Sequence, residues 1–263
     1  MCRQGYRNKQ VYDPLWSVRN RRPPDVMPPA GRKGTFDGRN GCQKCFCVTF
    51  AESNKGRRWR GERSVDLKRT ISAMVGQGSV NHNSRKFNAK NTDPERSHLN
   101  ITYCQENIKA VYHELFDEAL ERYNAKQTRA DRRIEDYYEK IRSGKQEKPF
   151  HEIILQVGNK DDMSAGSEDG QLAAAVLDEY MRGFQERNPQ LRVFSAHLHM
   201  DEATPHLHID FVPFTTGSKR GLDTRVSLKQ ALAAQGFKGG TRGDTEWSQW
   251  VRSETVSYTH LRA

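Results

Sequence analysis

The sequence has no apolar run that approaches the ~18 residues needed to cross a bilayer. Its N-terminus also lacks the apolar stretch of a secretory signal peptide. These absences argue against a chain with membrane-spanning helices and against secretion. The 263 residues suffice for one large or two small domains, each with a hydrophobic core. We therefore expect a soluble cytoplasmic protein without membrane insertion.

Cysteine is scarce, and the spacing of the five cysteines does not predict a disulfide scaffold. Three of them cluster in CQKCFC, at Cys42, Cys45 and Cys47, while Cys2 and Cys104 stand apart. A zinc knuckle would need a second pair of ligands at a suitable spacing, and no such pair follows. The cluster therefore does not predict a metal centre.

Excess positive charge is missing from most of the chain, although the net charge is +10. The chain has 43 Lys and Arg and 33 Asp and Glu, of which residues 1–65 contain 15 and 5. The remainder therefore holds 28 basic and 28 acidic residues. A basic surface is the usual electrostatic signature of nucleic-acid binding. Because the bulk charge of the body is zero, any such function must be inferred from a local site.

The two ends of the chain differ from its body. Residues 1–65 lack periodicity and are rich in Arg, Gly and Pro. This composition is typical of a disordered basic arm, and it also fits upstream DNA translated from a misplaced start, which we favour. Residues 256–263 read VSYTHLRA and resemble the translation of a transposon-end adapter used in sequencing libraries. We therefore assign the functional domain to residues 66–255 and expect it to be truncated at its C-terminus.

Hydrophobic periodicity in the body predicts a mixture of strands and helices. A polar, Asn-rich loop with room for one helical turn separates the first two strands. The fold class is therefore α+β, an antiparallel sheet with helices packed on one face. The predicted strands outside the histidine-rich region are 68–76, 97–103 and 149–158, and the predicted helices are 106–126, 129–143, 168–189, 227–235 and one that begins at 245.

The most unusual stretch is HLHMDEATPHLHIDFVPF at 197–214, which holds four histidines within two predicted strands. The DEATP segment between them has the Asp, Thr and Pro of a turn. In an antiparallel hairpin, His199 lies opposite His206 and His197 lies opposite His208. Residues at i and i+2 share a face of a strand, so all four imidazoles converge on one side of the sheet.

The same alternation assigns the neighbouring residues to faces. Val193, Ser195 and Asp210 should share the histidine face. Phe194 and Ala196 should point to the opposite face. That face would then be apolar and suited to packing against helices.

A cluster of four imidazoles predicts a divalent metal site. Buried histidines without partners are costly, and either a metal ion or a hydrogen-bonded histidine ladder resolves that cost. Three histidine ligands leave coordination positions open, which is typical of a catalytic site. Imidazole ligands suit Mn, Zn, Fe, Co or Ni better than Ca. The spacings of the metalloprotease motifs and of a cupin-like site are absent from the sequence.

Two segments have polar residues in distinctive spacings. The first is H-x-D-E-x-x-P-H-x-H at 199–208. The second is NHNSRKFNAKNTDPERSHLN at 81–100, where a His-Asn-x-Arg cluster precedes an Asp-Pro-x-Arg-Ser-x-x-Asn segment. Both resemble motifs of the MobV (Pre/Mob) family of plasmid mobilisation relaxases. The resemblance covers roughly residues 68–255, and residues 1–65 have no counterpart in it.

The resemblance implies an enzyme that nicks one DNA strand at a plasmid origin of transfer and stays covalently attached to one end. Its fold would be of the HUH endonuclease type, with metal histidines on a central β-hairpin. The implied ligands are His199, His206 and His208, with Mn²⁺ as the expected ion and Mg²⁺ or another transition metal as alternatives. The implied partners are single-stranded or hairpin DNA at the origin, the coupling protein of a conjugation system, and a second copy bound through a missing C-terminal helical region.

The resemblance also implies roles for individual side chains. His82 matches the nucleophile of the family, where many other relaxases use a tyrosine, and Tyr103 is the alternative. Neutral imidazole is a competent nucleophile near pH 7. Arg85 would stabilise charge on the phosphoryl oxygens or orient the nucleophile. Glu202 matches an acidic residue beside the site.

Other residues are candidates for DNA binding or for support of the metal ligands. His197 and Asp201 would lie beside the ligands, and His197 is also a candidate DNA contact. Arg96 and Asn100 would bind phosphate or order their loop. The candidate phosphate contacts in FTTGSKRGLDTR, the segment after the hairpin, are Lys219, Arg220 and Arg225.

The sequence leaves two other functions open. One is a rolling-circle replication initiator or a transposase of the same nuclease superfamily, although those typically depend on tyrosine and no tyrosine here has a convincing catalytic context. The other is a non-catalytic metal- and DNA-binding repressor. Such a protein would bind hairpin DNA without cleaving it.

Overall fold

An antiparallel sheet forms the centre of the protein in a computed structural model. The structure describes residues 45–48, 71–76, 78–87 and 89–260, and for 45–48, 71 and 256–260 it describes the backbone alone. The hypotheses about residues 1–65, residues 256–263 and the cysteine cluster lie largely outside this part of the chain.

The described sheet has seven strands, and all neighbouring strands are antiparallel. The strands are β1 (Cys45–Val48), β2 (Ile71–Val75), β3 (Ile101–Gln105), β4 (His151–Val157), β5 (Leu191–His199), β6 (His206–Thr215) and β7 (Arg225–Val226). Their order is β1-β2-β4-β6-β5-β3, and β7 pairs with β6. The histidine-rich strands β5 and β6 thus lie inside the sheet, as predicted.

Helices connect and follow the strands. Four of them begin where a side chain accepts a hydrogen bond from a backbone N–H two or three residues further on, at Asn107, Asp136, Ser167 and Ser227. No helix among the described residues is long and apolar enough to cross a membrane. The helices are α1 (Val80–Asn83), α2 (Ile108–Ala125), α3 (Tyr137–Ser143), α4 (Glu168–Arg182), α5 (Phe184–Arg187), α6 (Leu228–Ala234) and α7 (Glu246–His260).

Helices cover both faces of the sheet. Leu207 and Ile209 on β6 pack with residues of α4, α5, α6 and α7 in one core. Val212, also on β6, packs with residues of α2 and α3 in a second core. Because side chains alternate along a strand, these two cores lie on opposite faces. The expectation of a single helix-covered face is therefore wrong, whereas the antiparallel α+β class is confirmed.

A β-bulge in β5 changes which residues share the histidine face. The register of β5 on β6 shifts between Val193 and Ser195. Val193 packs in the core with α4 and α5, and Phe194 packs with α2 and α3. The predicted faces of these two residues are wrong, because the extra residue of a bulge reverses the alternation. Beyond the bulge, Ser195 lies opposite Asp210 and Ala196 is in the first core, as predicted.

Two of the predicted helices are interrupted. The stretch 129–143 divides into a 3₁₀ turn and α3, because Asn124 exchanges hydrogen bonds of 2.7 and 2.9 Å with the backbone of Ile134. This exchange holds the intervening backbone out of helical conformation. The stretch 168–189 divides at Gly183 into α4 and α5. The other predicted elements overlap those in the structure.

Candidate metal and catalytic site

Three histidines of the β5–β6 hairpin converge. His199 lies opposite His206 and His197 lies opposite His208, which confirms the predicted register. The ring centroids of His199, His206 and His208 are between 4.8 and 5.2 Å apart. All three side chains are buried, so the polar nitrogens must find partners inside the protein.

Hydrogen bonds determine which nitrogen of each ring carries the proton. Nε2 of His199 donates to the backbone carbonyl of Asn83 at 2.8 Å, and Nδ1 of His206 donates to that of Thr204 at 2.9 Å. The nitrogens left without protons, Nδ1 of His199 and Nε2 of His206, face each other at 3.3 Å. Two lone pairs cannot form a hydrogen bond, and a shared cation would satisfy both.

His208 also presents a free ring nitrogen. Its Nδ1 donates to Oε1 of Glu152 at 2.7 Å, and its Nε2 is buried without a hydrogen-bond partner among the described residues. Burial lowers the pKa of His199 to about 2 and that of His206 to about 4, and electrostatic repulsion from the neighbouring ring of His208 adds to the effect. Both rings are therefore neutral near pH 7. The two neutral rings and the free nitrogen of His208 together offer nitrogen donors of the kind that bind a divalent transition metal.

Sequence reasoning does not identify Glu152 or Asn83 as site residues. Buried Glu152 accepts hydrogen bonds from Nδ1 of His208, from the backbone N–H of Gly78 at 2.7 Å and from Nδ2 of Asn83 at 2.8 Å. The same amide of Asn83 lies 3.0 Å from Oδ2 of Asp210. Burial, followed by the charge of Glu152, raises the pKa of Asp210 to about 6. The sequence did hold one signal for Glu152, its position as the only charged residue in the apolar stretch EIILQV. A charged residue in a buried strand indicates a polar partner, because charged side chains are almost never fully buried unless they are paired.

His82 lies beside the three histidines, although it belongs to a distant segment. Helix α1 carries it, and its ring centroid is 6.1 Å from those of both His199 and His208. Nε2 of His82 lies 3.2 Å from Nη1 of Arg85 and 3.5 Å from Oε1 of Glu202. Burial, followed by the charge of Arg85, lowers the pKa of His82. The ring is thus neutral near pH 7, and the donor on Arg85 favours a lone pair at Nε2.

Arg85 connects the N-terminal motif to the turn between β5 and β6. Its Nη2 and Nε donate to the two carboxylate oxygens of Asp201 at 2.6 and 2.9 Å, and Nη2 also donates to Glu202 at 2.8 Å. The φ angle of Arg85 is +51°, a left-handed conformation that non-glycine residues rarely adopt. Because two carboxylates occupy the guanidinium, the geometry favours orientation of His82 over direct contact with a phosphate.

Asn100 and Arg96 have contacts that order their loop. Nδ2 of Asn100 donates to Asp201 at 2.7 Å, and its Oδ1 accepts from the backbone N–H of Met200 at 2.7 Å. Arg96 forms an ion pair with Asp93, with 2.8 Å between Nε and Oδ2. Of the two roles predicted for Asn100 and Arg96, the structure favours loop ordering.

His197 and Tyr103 lie on different faces of the sheet. The ring centroid of His197 is 6.2 Å from that of His199, and its Nδ1 is 3.1 Å from the hydroxyl of Thr102. Tyr103 packs against the core formed with α4, where its hydroxyl donates to Asp178 at 2.9 Å. Burial, followed by this hydrogen bond, raises the pKa of Tyr103 far above its usual range. Core packing rather than nucleophilic attack suits this environment.

The three candidate phosphate contacts after β6 do not join the histidines. They follow the end of β6 at Thr215, about 20 Å from His208 at ~3.3 Å per residue. Two adjoining cavities of about 530 and 740 Å³ lie there. Arg220 and Arg225 line both cavities, and Lys219 lines the larger one.

Comparison with known proteins identifies a family. A model of Mob_Pre, the plasmid recombination enzyme family, matches residues 68–236. The chain is similar to the MobM relaxase domain (MOBV; Mob_Pre) bound to plasmid pMV158 oriT DNA of 22 nucleotides, in a Mn-bound crystal structure at pH 5.5. The two sequences are 21% identical and the TM-score is 0.41. The match covers 73% of this chain and 86% of that one. It is also similar to that domain bound to 22 nucleotides with a 3′-thiophosphate, Mn-bound at pH 6.8, with 23% identity, a TM-score of 0.36 and coverage of 61% and 76%. No curated protein matches the chain. The family match spans more than half of the sequence, and the protein belongs to the Mob_Pre family of plasmid recombination enzymes.

Proposed function

We propose that this chain is a plasmid mobilisation relaxase that makes a site- and strand-specific nick in single-stranded DNA at an origin of transfer. Membership in the Mob_Pre family supports the general activity. One observation carries the specific chemistry: the ring of His82 lies 6.1 Å from those of His199 and His208. A neutral imidazole thus lies next to nitrogen donors of the kind that bind a metal ion, which supports the proposal.

His199, His206 and His208 would hold a divalent cation, Mn²⁺ in preference to Mg²⁺ or another transition metal. The bound ion would act as a Lewis acid on the non-bridging oxygens of the scissile phosphate. Glu152 accepts a hydrogen bond from Nδ1 of His208. This hydrogen bond sets the orientation of the ring and raises the basicity of Nε2. Glu202 lies near the same site, with its Oε1 3.8 Å from Nε2 of His206.

His82 is the proposed nucleophile. The lone pair on its Nε2 forms a bond to phosphorus while the bond from phosphorus to the departing deoxyribose oxygen breaks. That oxygen takes up a proton, and the imidazole releases one to solvent. The product is a phosphoramidate that keeps one DNA end attached and conserves the energy for rejoining. Arg85 donates to Nε2 of His82, so it selects the reactive tautomer before DNA arrives.

The basic surface at the other end of β6 would bind flanking DNA. Lys219, Arg220 and Arg225 form no ion pair with a described residue, whereas Arg122 and Arg192 pair with carboxylates at 2.8 and 3.0 Å. Phosphate groups are natural partners for unpaired cations. Because this surface is about 20 Å from His208 along β6, it would contribute to affinity rather than to the chemical step.

Two further partners follow from the sequence resemblance alone. These are the coupling protein of a conjugation system and a second copy of the chain, and both stay predictions. The repressor alternative does not require a nucleophile, so the position of His82 beside the three histidines favours the enzyme.

Formation of a covalent adduct tests the proposal. The full chain would be incubated, with and without Mn²⁺, with single-stranded oligonucleotides that tile the DNA encoding residues 1–65, because transfer origins often lie just upstream of the gene. We expect a denaturation-resistant adduct with the unaltered chain and with Tyr103→Phe, and none with His82→Ala. An adduct lost in Tyr103→Phe alone would overturn the nucleophile. A chain that binds no divalent metal would overturn the proposal as a whole.

A further inference from the structure

We infer that Phe87 is a stacking platform for the nucleobase next to the scissile phosphate, an inference that rests on the proposed function. Phe87 has 52% of its surface exposed and is the one exposed Phe, Tyr or Trp among residues of described burial. Exposure alone would carry little, because single apolar side chains are common on protein surfaces. The position of this ring carries the inference.

Phe87 lies beside the proposed nucleophile. Its ring centroid is 6.0 Å from that of His82, and the two ring planes are tilted by 51°. The rings therefore do not stack on each other, and about half of the surface of Phe87 is exposed beside the ring of His82. A phosphorus atom in contact with Nε2 would bring its flanking nucleosides within reach of this surface.

The backbone that carries Phe87 is held firmly. The N–H of Arg85 donates to the carbonyl of His82, and the N–H of Lys86 donates to that of Asn81, both at 3.0 Å. The side chain of Arg85 is bound by Asp201, so the turn is anchored two residues before Phe87. A ring on an anchored turn loses little conformational entropy when a ligand covers it.

Base stacking is the interaction that such a ring offers to single-stranded DNA. Every nucleobase has a flat face, so a stacking contact tolerates different sequences. Phe87 has no hydrogen-bonding group, so it would hold the base without reading it. Stacking would also fix the position of the adjacent phosphorus relative to His82, and positioning of this kind accelerates bond formation. Phe87 would therefore act on both binding and orientation.

A comparison of DNA with and without bases tests the inference. The full chain, in EDTA to prevent nicking, would be titrated into a fluorescent thymidine oligonucleotide and into an abasic oligonucleotide of the same length and charge. We expect the unaltered chain to prefer the thymidine probe. In Phe87→Ala this preference should fall by about fivefold or more, since one stacked base contributes ~1–3 kcal/mol. Phe87→Trp should keep it.

Ile101→Ala is the matched control, because Ile101 is also apolar and has 41% of its surface exposed. Its preference for bases should equal that of the unaltered chain. Equal weakening of both probes in Phe87→Ala would overturn the inference, because it would indicate a general effect on the DNA-binding surface. An unchanged preference in Phe87→Ala would overturn it as well.

Single abasic substitutions in an oligonucleotide that the unaltered chain nicks give a second readout. The nucleotide next to the nick should matter for the unaltered chain and no longer matter for Phe87→Ala. Nicking with the same abasic sensitivity in both proteins would overturn the stacking role and leave the proposed function intact. A Phe87-dependent preference for bases in a chain that nicks no DNA would support stacking and count against the proposed function.

Discussion

Arg85 and Asp201 form a two-pronged ion pair, with 2.6 Å from Nη2 to Oδ1 and 2.9 Å from Nε to Oδ2. Asp201 is fully buried. Burial alone would raise its pKa, but the hydrogen bonds from Arg85 and Asn100 outweigh that effect and hold the pKa below its usual range. The pair joins the segment that carries His82 to the turn between the two histidine-rich strands, so the architecture of the candidate site depends on it.

Arg85→Lys is expected to lower the free energy of unfolding by about 1–3 kcal/mol. Lysine cannot reproduce the two parallel hydrogen bonds of a guanidinium to a carboxylate, and one bond to buried Asp201 would be lost. Thermal unfolding of the two proteins measures the change. Arg96→Lys is the matched control, since the pair between Arg96 and Asp93 is partly exposed and should contribute ~0–1 kcal/mol. Similar effects of the two substitutions would contradict the prediction.

Glu152→Gln is expected to weaken Mn²⁺ binding by about 10- to 100-fold, the usual effect of removing a carboxylate that orients a ligand histidine. The substitution replaces the carboxylate that accepts a hydrogen bond from Nδ1 of His208 by an uncharged amide. Calorimetric titration with Mn²⁺ measures the affinity. Glu139→Gln on α3 is the control, because Glu139 pairs with Arg142 at the surface and its replacement should leave the affinity unchanged. Equal affinities in all three proteins would rule out the assigned role.

Replacement of Lys219, Arg220 and Arg225 by alanine is expected to reduce the salt dependence of DNA binding. Each lost phosphate contact should lower the slope of log K against log salt by about 0.7 for single-stranded DNA. The nicking rate at saturating DNA should be unchanged. Filter binding at several salt concentrations gives the slope, and Arg129→Ala serves as the control because Arg129 is already paired with Asp131. A lower rate at saturation with an unaltered slope would argue against this role.

His151 is expected to make the fold sensitive to acid. Burial, followed by repulsion from Lys148, lowers the pKa of His151 to about 4. Between that value and the ordinary value near 6.5, the unfolded chain binds a proton that the folded chain does not. Stability should therefore fall as the pH drops from about 6.5 to about 4, by up to about 3 kcal/mol.

In His151→Gln this part of the acid sensitivity should disappear. Urea unfolding at several pH values compares the two proteins. His113→Gln, at an exposed position of α2, should leave the pH profile as it is in the unaltered chain. A profile that is the same in His151→Gln and the unaltered chain would show that the group responsible lies elsewhere.

The hairpin and its histidines were predictable because the signals are local. His199 and His206 are seven residues apart, and the turn chemistry between them determines their register. The α2 helix followed equally from the stripe of apolar residues over 106–126. Each of these predictions uses one element and needs no knowledge of its neighbours.

The rest of the site depends on which segments become neighbours in space. Glu152 contacts His208 because β4 pairs with β6, and no pattern within either strand specifies that pairing. Asn83 donates to Glu152 across a sequence separation of 69 residues. The bulge at Phe194 could not be predicted from the sequence either, because Val193 and Phe194 are both apolar and either of them suits a buried face.

The sequence separation of 116 residues between Arg85 and Asp201 also determines the order in which a growing chain acquires the parts of the site. Synthesis proceeds from the N-terminus, so His82 leaves the ribosome long before the strands that carry the other histidines. A chain that ends before β5 would carry the proposed nucleophile without the proposed ion site. In the proposed mechanism, nicking therefore has to await synthesis of both histidine-rich strands, and a fragment that ends before them would leave DNA intact.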